Sequence, residues 1–405
     1  MAHHRGPKTI TEDLIFHYDT GNVKSFAGEP TTNIFTSYGT SGAGATSDNG
    51  VNFDVNGTGT FIRLGYGQTF GGYTIQPNDV VYKYDLGSSG CHYHGNDVLI
   101  PSGVYVTFSF DYYISPNAGN YPDTNYLGNM ETSTGANVAI TSPNSLTGVW
   151  QTISVTAGPT TSGGNLRPLL YPGGCGGRLA SSGYILYKNP QVELKSHKTP
   201  FTSGTRSNTQ SLLDLSKKSA MTVANASFDS NAMLNFDGTN DYVQLTSFPQ
   251  PTNYITCEAW INPQDLVTPG TIRGGVISST NSMYLGIFDS YDGTTFGSHW
   301  AVQTSTGARP YNINGQIPRN QWTHLVGTYN GSVSRMYING VEIWNASLSG
   351  TIPSATYYIG TYGGTIVDDT HNFNGYIPVA KIYNRALTAE QVLQNYNASK
   401  RRFGL

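Results

Sequence analysis

Short runs of β-branched and aromatic residues recur along this chain, and each run ends in a cluster of Gly, Asn, Ser or Pro. In the run at 104–115, VYVTFSFDYYIS, apolar positions from Val106 to Ile114 alternate with the positions from Tyr105 to Tyr113. That period of two is typical of a strand with one face in a core and the other in water. With 48 Gly and 28 Tyr in 405 residues and only 12% charged residues, the chain is predicted to be all-β.

Two dipeptides indicate hairpins in QWTHLVGTYNGSVSRMYINGVEIW at 321–344. Asn330-Gly331 and Asn339-Gly340 each lie between β-rich runs at the spacing of a two-residue primed turn, whose positive φ angles suit Asn and Gly. We therefore expect three antiparallel strands in series. Leu14 to Tyr18 is a further predicted strand, followed by a turn at Gly21-Asn22.

One segment, TAEQVLQNYNA at 388–398, is predicted to be helical. Thr388 can cap it together with Gln391, and Val392, Leu393 and Tyr396 fall on one face. We expect a short closing helix packed on a β-sandwich.

Charge and cysteine content exclude several classes of partner. The net charge is −3, and no basic cluster exceeds Lys400 to Arg402, so no nucleic acid or membrane partner is expected. No apolar run is long enough to cross a bilayer. Of three cysteines, Cys91 and Cys175 could form one disulfide, whereas Cys257 lies in an apolar strand and is expected to be a buried thiol.

Several motifs in series resemble one known family. LNFDGTNDYVQL, ITCEAWINP, NQWTHLVGTYNGSVSRMYINGVEI and FNGYIPVAKIYNRALTAEQVLQNYNA resemble the laminin-G-like branch of the concanavalin-A-like lectin/glucanase superfamily over about the last 190 residues. The start, GPKTITEDLIFHYDTGNVKSF, and the end, NRALTAEQVLQNYNASKRRFGL, are similar to the termini of tailed-bacteriophage virion proteins that carry this domain.

The same resemblance predicts a discontinuous domain. In such phage chains the opening strand runs directly into a segment like SLLDLSKKS, which here lies at 211–219. We therefore expect residues 1–28 to fold with 197–405, and residues 31–195 to form an inserted second sandwich. GVWQTISVTAG and GYILYKNPQVELKSHKTPF in the insert are similar to jelly-roll carbohydrate-binding modules of the galactose-binding-like class. A loop insertion costs little extra closure entropy.

Catalysis is not expected. Glucanases of the resembled fold carry Glu and Asp at alternate positions of one strand, because retaining hydrolysis needs two carboxyl groups about 5 Å apart. No such motif occurs, and Glu258 is the only glutamate in the segment where one would be sought.

Two sets of residues are candidates for binding. Aromatic residues in or near predicted loops could stack on a sugar ring; they are Tyr291, Trp300, Tyr311, Tyr357, Tyr358 and Tyr362. Asp237, Asn240 and Asp241 could supply oxygens to calcium, although turn formation explains the same residues and is preferred. No cofactor is required, and Trp260 and Trp322 are expected to be structural.

We thus expect a virion surface protein, either a head decoration or fibre or a tail adhesin, whose sandwiches bind glycans of the host. The expected partners are other virion proteins and further copies of the same chain in a homo-oligomer of open size. A purely structural decoration and a polysaccharide-degrading enzyme are the alternatives.

Overall fold

The computed structural model describes residues 7–35, 61–85, 93–94, 98–118, 126–132, 137–141, 146–170, 182–228, 233–264, 273–280, 283–289, 295–308, 311–363 and 371–405. The chain divides into two compact units, one formed by residues 1–29 with 207–405 and the other by residues 30–206. The second unit closes on itself where Thr205 and Arg206 pair with Thr32 and Thr31. None of the described helices is long and apolar enough to cross a membrane.

The strands up to residue 206 are β1 (Leu14–Asp19), β2 (Thr31–Thr32), β3 (Phe61–Leu64), β4 (Thr69–Phe70), β5 (Tyr73–Thr74), β6 (Val81–Asp85), β7 (Tyr93–His94), β8 (Val98–Ile100), β9 (Val106–Ile114), β10 (Tyr126–Thr132), β11 (Asn137–Thr141), β12 (Trp150–Ala157), β13 (Gly164–Leu170), β14 (Tyr184–Glu193) and β15 (Thr205–Arg206).

The elements after residue 206 are α1 (Asn208–Ser211), β16 (Ala220–Ala224), β17 (Ser227–Phe228), β18 (Leu234–Asp237), β19 (Tyr242–Ser247), β20 (Ile255–Pro263), β21 (Arg273–Ser279), β22 (Tyr284–Asp289), β23 (Thr295–Ala301), β24 (Gln303–Thr304), β25 (Gly307–Ala308), β26 (Tyr311–Pro318), β27 (Thr323–Tyr329), β28 (Val333–Ile338), β29 (Val341–Ser347), β30 (Tyr357–Ile359), β31 (Asn374–Tyr383), α2 (Ala389–Ser399) and a 3-10 helix (Lys400–Phe403).

The first unit is a sandwich of two antiparallel sheets. One sheet has the order β17-β18-β31-β20-β27-β28-β29 with β1 paired to β31, and the other has the order β16-β19-β30-β21-β22-β23-β26. A continuous apolar core lies between them, with Phe16, Phe236, Trp300 and Ile382 among its buried members. Alternation along each strand places one set of side chains in this core and the other set on the outer face of its sheet.

The predicted hairpins are present, with one difference in turn length. β27, β28 and β29 pair in series. Asn339 and Gly340 have φ of 51° and 82°, as a two-residue primed turn requires. The earlier turn is longer than predicted, because Ser332 also lies outside the strands and the side chain of Asn330 accepts the N–H groups of Ser332 and Val333.

The predicted closing helix is confirmed. α2 begins after Thr388, whose hydroxyl accepts the N–H of Gln391 while the Gln391 side chain accepts the N–H of Thr388. This reciprocal pair satisfies two N–H groups that the first helical turn leaves without partners.

The second unit also contains two antiparallel sheets, in the orders β12-β9-β14-β6-β3 and β11-β10-β13-β7 with β8 paired to β13. The predicted apolar face of β9 is confirmed, since Val106, Phe108 and Phe110 lie in the core of this unit. The prediction that the opposite face is in water is wrong. Thr107 is buried and donates its hydroxyl to Lys195 O, and Tyr113 is buried against the turn at Gly71.

Candidate functional site

The outer face of the eight-stranded sheet is covered where the C-terminal elements lie. Val326 of β27 and Tyr383 of β31 pack with Val392 of α2 in one apolar cluster. Trp260 of β20 packs with Phe403 of the 3-10 helix, their ring centroids 4.2 Å apart. Trp322 is partly buried and packs against the cluster that contains Trp260 and Phe403. Both tryptophans therefore have the structural role predicted for them.

The outer face of the seven-stranded sheet carries a different set of side chains. Tyr357 and Ile359 of β30 point into the core, so Tyr358 between them points outward. Tyr358 is paired with Gln244 of β19 on one side and with Ser278 of β21 on the other. Ser278 is in turn paired with Tyr284 of β22. One row of outward side chains therefore crosses four neighbouring strands.

Aromatic rings gather along this row. The ring of Tyr242 lies 6.1 Å from that of Tyr358 in an edge-to-face arrangement. The ring of Tyr284 lies 4.9 Å from that of Tyr362 and 4.5 Å from that of His299. We refer to Tyr242, Tyr358, Tyr284 and Tyr362 as the tyrosine row.

A tight backbone contact places Tyr362 on this face. The Ser278 hydroxyl donates to Thr361 O at 2.6 Å and accepts the N–H of Gly363 at 3.0 Å. Gly275 permits the approach, because a Cβ there would lie 2.2 Å from Thr361 O. The residues on both sides of Tyr362 are thereby attached to β21.

The tyrosine row combines buried and accessible rings. Tyr284 and Tyr358 are 1% and 8% exposed, whereas Tyr242, Tyr362 and Gln244 are partly exposed. Burial, together with the neighbouring Tyr242, raises the pKa of Tyr358, so its phenol remains a neutral hydrogen-bonding group. The partly exposed rings of Tyr242 and Tyr362, with their phenol hydroxyls and the Gln244 amide, form a surface that can stack on the apolar face of a sugar ring and bond the sugar hydroxyls.

The structure separates the predicted aromatic residues into three groups. Tyr358 and Tyr362 lie on the outer face described above. Trp300 and Tyr357 were predicted as exposed loop residues, and that prediction is wrong: they are 0% and 1% exposed in strands, on the core side. Tyr291 lies outside the residues that the structure describes. Tyr311 is the first residue of β26, and the structure describes its backbone only.

Sequence reasoning missed Tyr242 and Tyr284. The signal was present, since Tyr242 precedes Val243 and Leu245 at alternate positions, and Tyr284 precedes Leu285 and Ile287 in the same way. A tyrosine that begins such a strand faces away from the core.

The predicted calcium ligands form a turn. Asp241 accepts the N–H of Asp237 at 2.7 Å, and Asp237 accepts the N–H of Thr239 at 2.8 Å. Asp237 and Asn240 are exposed, whereas Asp241 is buried; burial and the charge of Asp237 raise the pKa of Asp241 to about 6. Within the described ranges, no group of three or more His, Cys, Asp or Glu could hold a metal ion.

No disulfide is present among the residues that the structure describes. Cys91 and Cys175 lie outside the described residues, so that pairing stays a prediction. Cys257 is a free and buried thiol, and burial raises its pKa.

Glu258 is 0% exposed in β20 and lies in a polar cluster under α2. Its carboxylate accepts from Lys381 Nζ at 2.7 Å, and His324 Nε2 lies 3.2 Å from the same oxygen. Burial raises the pKa of Glu258, but Lys381 and His324 lower it more, so the net result lies well below the usual range. This carboxylate is not accessible to a polysaccharide in the folded chain.

Residues 237–393 match the laminin-G-like model of the concanavalin A-like lectin/glucanases superfamily. The first unit therefore contains a concanavalin-A-like β-sandwich domain, as the sequence motifs predicted. No curated protein matches the chain.

Solved structures with partial likeness include domain 4 of AbnA, an extracellular arabinanase from Geobacillus stearothermophilus, in complex with arabinotriose. That match has 20% identity and a TM-score of 0.34, and it covers 45% of this chain and 91% of the other. The binding domain of botulinum neurotoxin serotype D has 15% identity and a TM-score of 0.37, covering 46% of this chain and 49% of the other. A pentraxin from Limulus polyphemus has 18% identity and a TM-score of 0.32, covering 39% and 78%. At such TM-scores these likenesses do not bear on what this chain binds.

Proposed function

We propose that this chain is a non-enzymatic glycan-binding protein of a bacteriophage particle. The observation that carries glycan binding is the tyrosine row, because it places partly exposed rings beside amide and hydroxyl groups on one face of a lectin-like sandwich. Sugar rings have an apolar face and a rim of hydroxyls, and this surface offers a partner for each.

The assignment to a virion rests on the similarity of the two ends of the sequence to those of tailed-phage virion proteins. In this proposal the chain lies on the particle surface as a head decoration, a fibre or a tail adhesin, in contact with other virion proteins. Symmetric assembly of several copies is part of the same proposal, since closed symmetry is the usual arrangement of protein oligomers.

Absence of catalysis is supported by the state of Glu258. A retaining glycosidase needs two carboxyl groups that reach the substrate. Glu258 is buried, and its carboxylate accepts a hydrogen bond from Lys381. If incubation with host polysaccharide released new reducing ends, the enzymatic alternative would replace this proposal.

Glycan binding is tested by applying the full chain to an array of bacterial surface glycans. We expect a signal that Tyr242→Ala and Tyr362→Ala each reduce at least tenfold, because aromatic stacking is lost. Tyr254→Ala is the matched control, since Tyr254 is 48% exposed in the same unit and outside the tyrosine row. No signal for the wild-type chain would favour a purely structural decoration.

The virion assignment has its own test. Antibodies against the chain, visualised with gold on intact particles, should label either heads or tails at regular positions. Unlabelled particles would contradict this part of the proposal and leave the glycan result standing.

A further inference from the structure

Three buried side chains with complementary chemistry meet beneath the C-terminal helix. Lys381 of β31, Glu258 of β20 and Asn395 of α2 are 3%, 0% and 0% exposed. Lys381 Nζ donates to Glu258 Oε1 at 2.7 Å, and Asn395 Nδ2 donates to Glu258 Oε2 at 2.6 Å. One carboxylate therefore bridges a primary amine and a primary amide.

The amide of Asn395 is held and polarised from its other side. The N–H of Ile10 donates to Asn395 Oδ1 at 2.7 Å. The Tyr383 hydroxyl accepts from Asn395 Nδ2 at 3.0 Å and donates to Ile10 O at 3.1 Å. A backbone donor on a carbonyl oxygen stabilises the negative charge that develops there when a nucleophile adds to the carbon.

We propose that Lys381 and Asn395 form an intramolecular isopeptide bond, with Glu258 as the group that transfers protons. Amine, amide and carboxylate are the parts that such an acyl transfer needs: a nucleophile, an electrophile and a general acid-base. No external reagent is required.

The reaction balances within the triad. The Lys381 ammonium passes one proton to Glu258, which leaves a neutral amine and a neutral carboxylic acid. Nζ then adds to Cγ of Asn395, and the Asn395 Oδ1 oxyanion bonds to the N–H of Ile10. Glu258 protonates the departing Nδ2 and accepts a proton from the new amide nitrogen. The Cγ–Nδ2 bond breaks, the Nζ–Cγ bond forms, and one ammonia leaves.

Burial favours the first step. Proton transfer from Lys381 to Glu258 replaces an ion pair by two neutral groups and does not change the total charge. Desolvation penalises charged groups, so burial raises the pKa of Glu258, whereas Lys381 and His324 lower it more and keep the ion pair as the resting state. The neutral pair is therefore the less populated state from which Nζ adds. Addition then requires Nζ to leave Oε1 and come within about 3–3.5 Å of Cγ, the separation of a near-attack arrangement. Lysine has a flexible side chain that can make this movement.

The bond would fasten α2 to the sandwich covalently. The same helix holds the start of the chain, because Gln394 Nε2 donates to Lys8 O and Asn395 Oδ1 accepts from Ile10. The cross-link would then join α2 to β31, and α2 would in turn hold Lys8 and Ile10 through these hydrogen bonds.

The test is mass spectrometry of the purified, folded full chain. The intact denatured chain should be lighter than its sequence by one ammonia, and a tryptic digest should contain a branched peptide that joins Lys381 to Asn395. The branched peptide is the decisive observation. Succinimide formation at an Asn-Gly step also releases one ammonia, but it produces no branched peptide.

Variants separate the chemistry from folding. Lys381→Met, Asn395→Ala and Glu258→Gln should each give no branched peptide. Asn345→Ala should retain it, since Asn345 is an exposed residue that bonds to Glu342 in the same unit. If the folded wild-type chain yields the two unlinked peptides quantitatively, the proposal is wrong, whatever the variants do.

Discussion

Trp300 of β23 lies directly against Gly327 of β27, across the interior of the first unit. A Cβ added at Gly327 would lie 2.3 Å from the indole ring. The indole N–H donates to the Ser334 hydroxyl at 2.8 Å, so the ring is also fixed in orientation. A glycine of one sheet therefore makes room for a buried tryptophan of the other.

Gly327→Ala should lower the free energy of unfolding by about 1–3 kcal/mol, the usual cost of forcing extra volume into a packed core. The rigid indole cannot move away without losing its bond to Ser334. Urea unfolding followed by tryptophan fluorescence measures the change. Gly204→Ala is the control, because a Cβ at Gly204 has no neighbour within 4 Å. Equal stability of the two variants would contradict a tight contact between Gly327 and Trp300.

Loss of the α2 cap gives a second prediction. Thr388→Ala should destabilise the first unit by about 1 kcal/mol, because the N–H of Gln391 loses its acceptor. Thr388→Ser keeps an equivalent hydroxyl and should be close to wild type. Thermal unfolding of the three proteins is the measurement, and an unchanged alanine variant would show that the cap does not contribute.

Local patterns predicted the strands well but not what covers them. Alternation identified the core face of β9 through Val106 and Phe108. The opposite face was predicted to be exposed, yet Lys195 and the turn at Gly71 lie over it. The segments that bury this face of β9 are distant from it along the chain, so the residue pattern within β9 cannot predict them.

The candidate site shows the same limit. Tyr357 and Tyr358 are adjacent, and sequence reasoning treated them alike, although one points into the core and the other outward. Only the pairing of Tyr358 with Ser278 and Gln244 establishes which ring joins the tyrosine row. Sequence identifies the residue type, whereas strand register decides the face.

His17 gives a prediction about pH. Burial and, secondly, the charge of Lys381 lower the pKa of His17 from 6.5 to about 4. The folded chain thus binds this proton less readily than the unfolded chain. The stability that His17 contributes is complete above pH 6.5 and is lost as pH falls toward 4, by at most about 3 kcal/mol.

Urea unfolding at pH 7.5 and pH 5 should therefore show a smaller decrease for His17→Gln than for the wild type. His197→Gln, which changes a partly buried histidine of the second unit, is the control and should retain the wild-type decrease. An identical pH dependence in His17→Gln and wild type would rule out this residue as the cause.

Asp241 should act in the opposite direction. Its folded pKa of about 6, raised by burial and by Asp237, exceeds the usual 3.8. Its contribution to stability is complete below pH 3.8 and is lost as pH rises through about 6. Asp241→Asn should thus be more stable than wild type by about 1–2 kcal/mol at pH 8 and show no advantage at pH 4.

Calcium distinguishes the two interpretations of this turn. With turn formation alone, adding calcium should leave the difference between Asp241→Asn and wild type unchanged. A calcium-dependent rise in wild-type stability that the variant lacks would instead support the predicted metal site. Asp13→Asn, at an exposed position, controls for general charge effects.

The first unit should fold without residues 30–206. Ala27 N–H donates to Ser211 O at 3.0 Å, and Phe26 forms a β-bridge with Leu212. The two segments that lead into and out of the second unit therefore run side by side, and a short Gly/Ser link from Glu29 to Ser207 can join them with little closure entropy. We expect a cooperative thermal transition and a β-type circular dichroism spectrum from this deletion variant. An unfolded product would mean that the core around Phe16 and Trp300 depends on the removed residues.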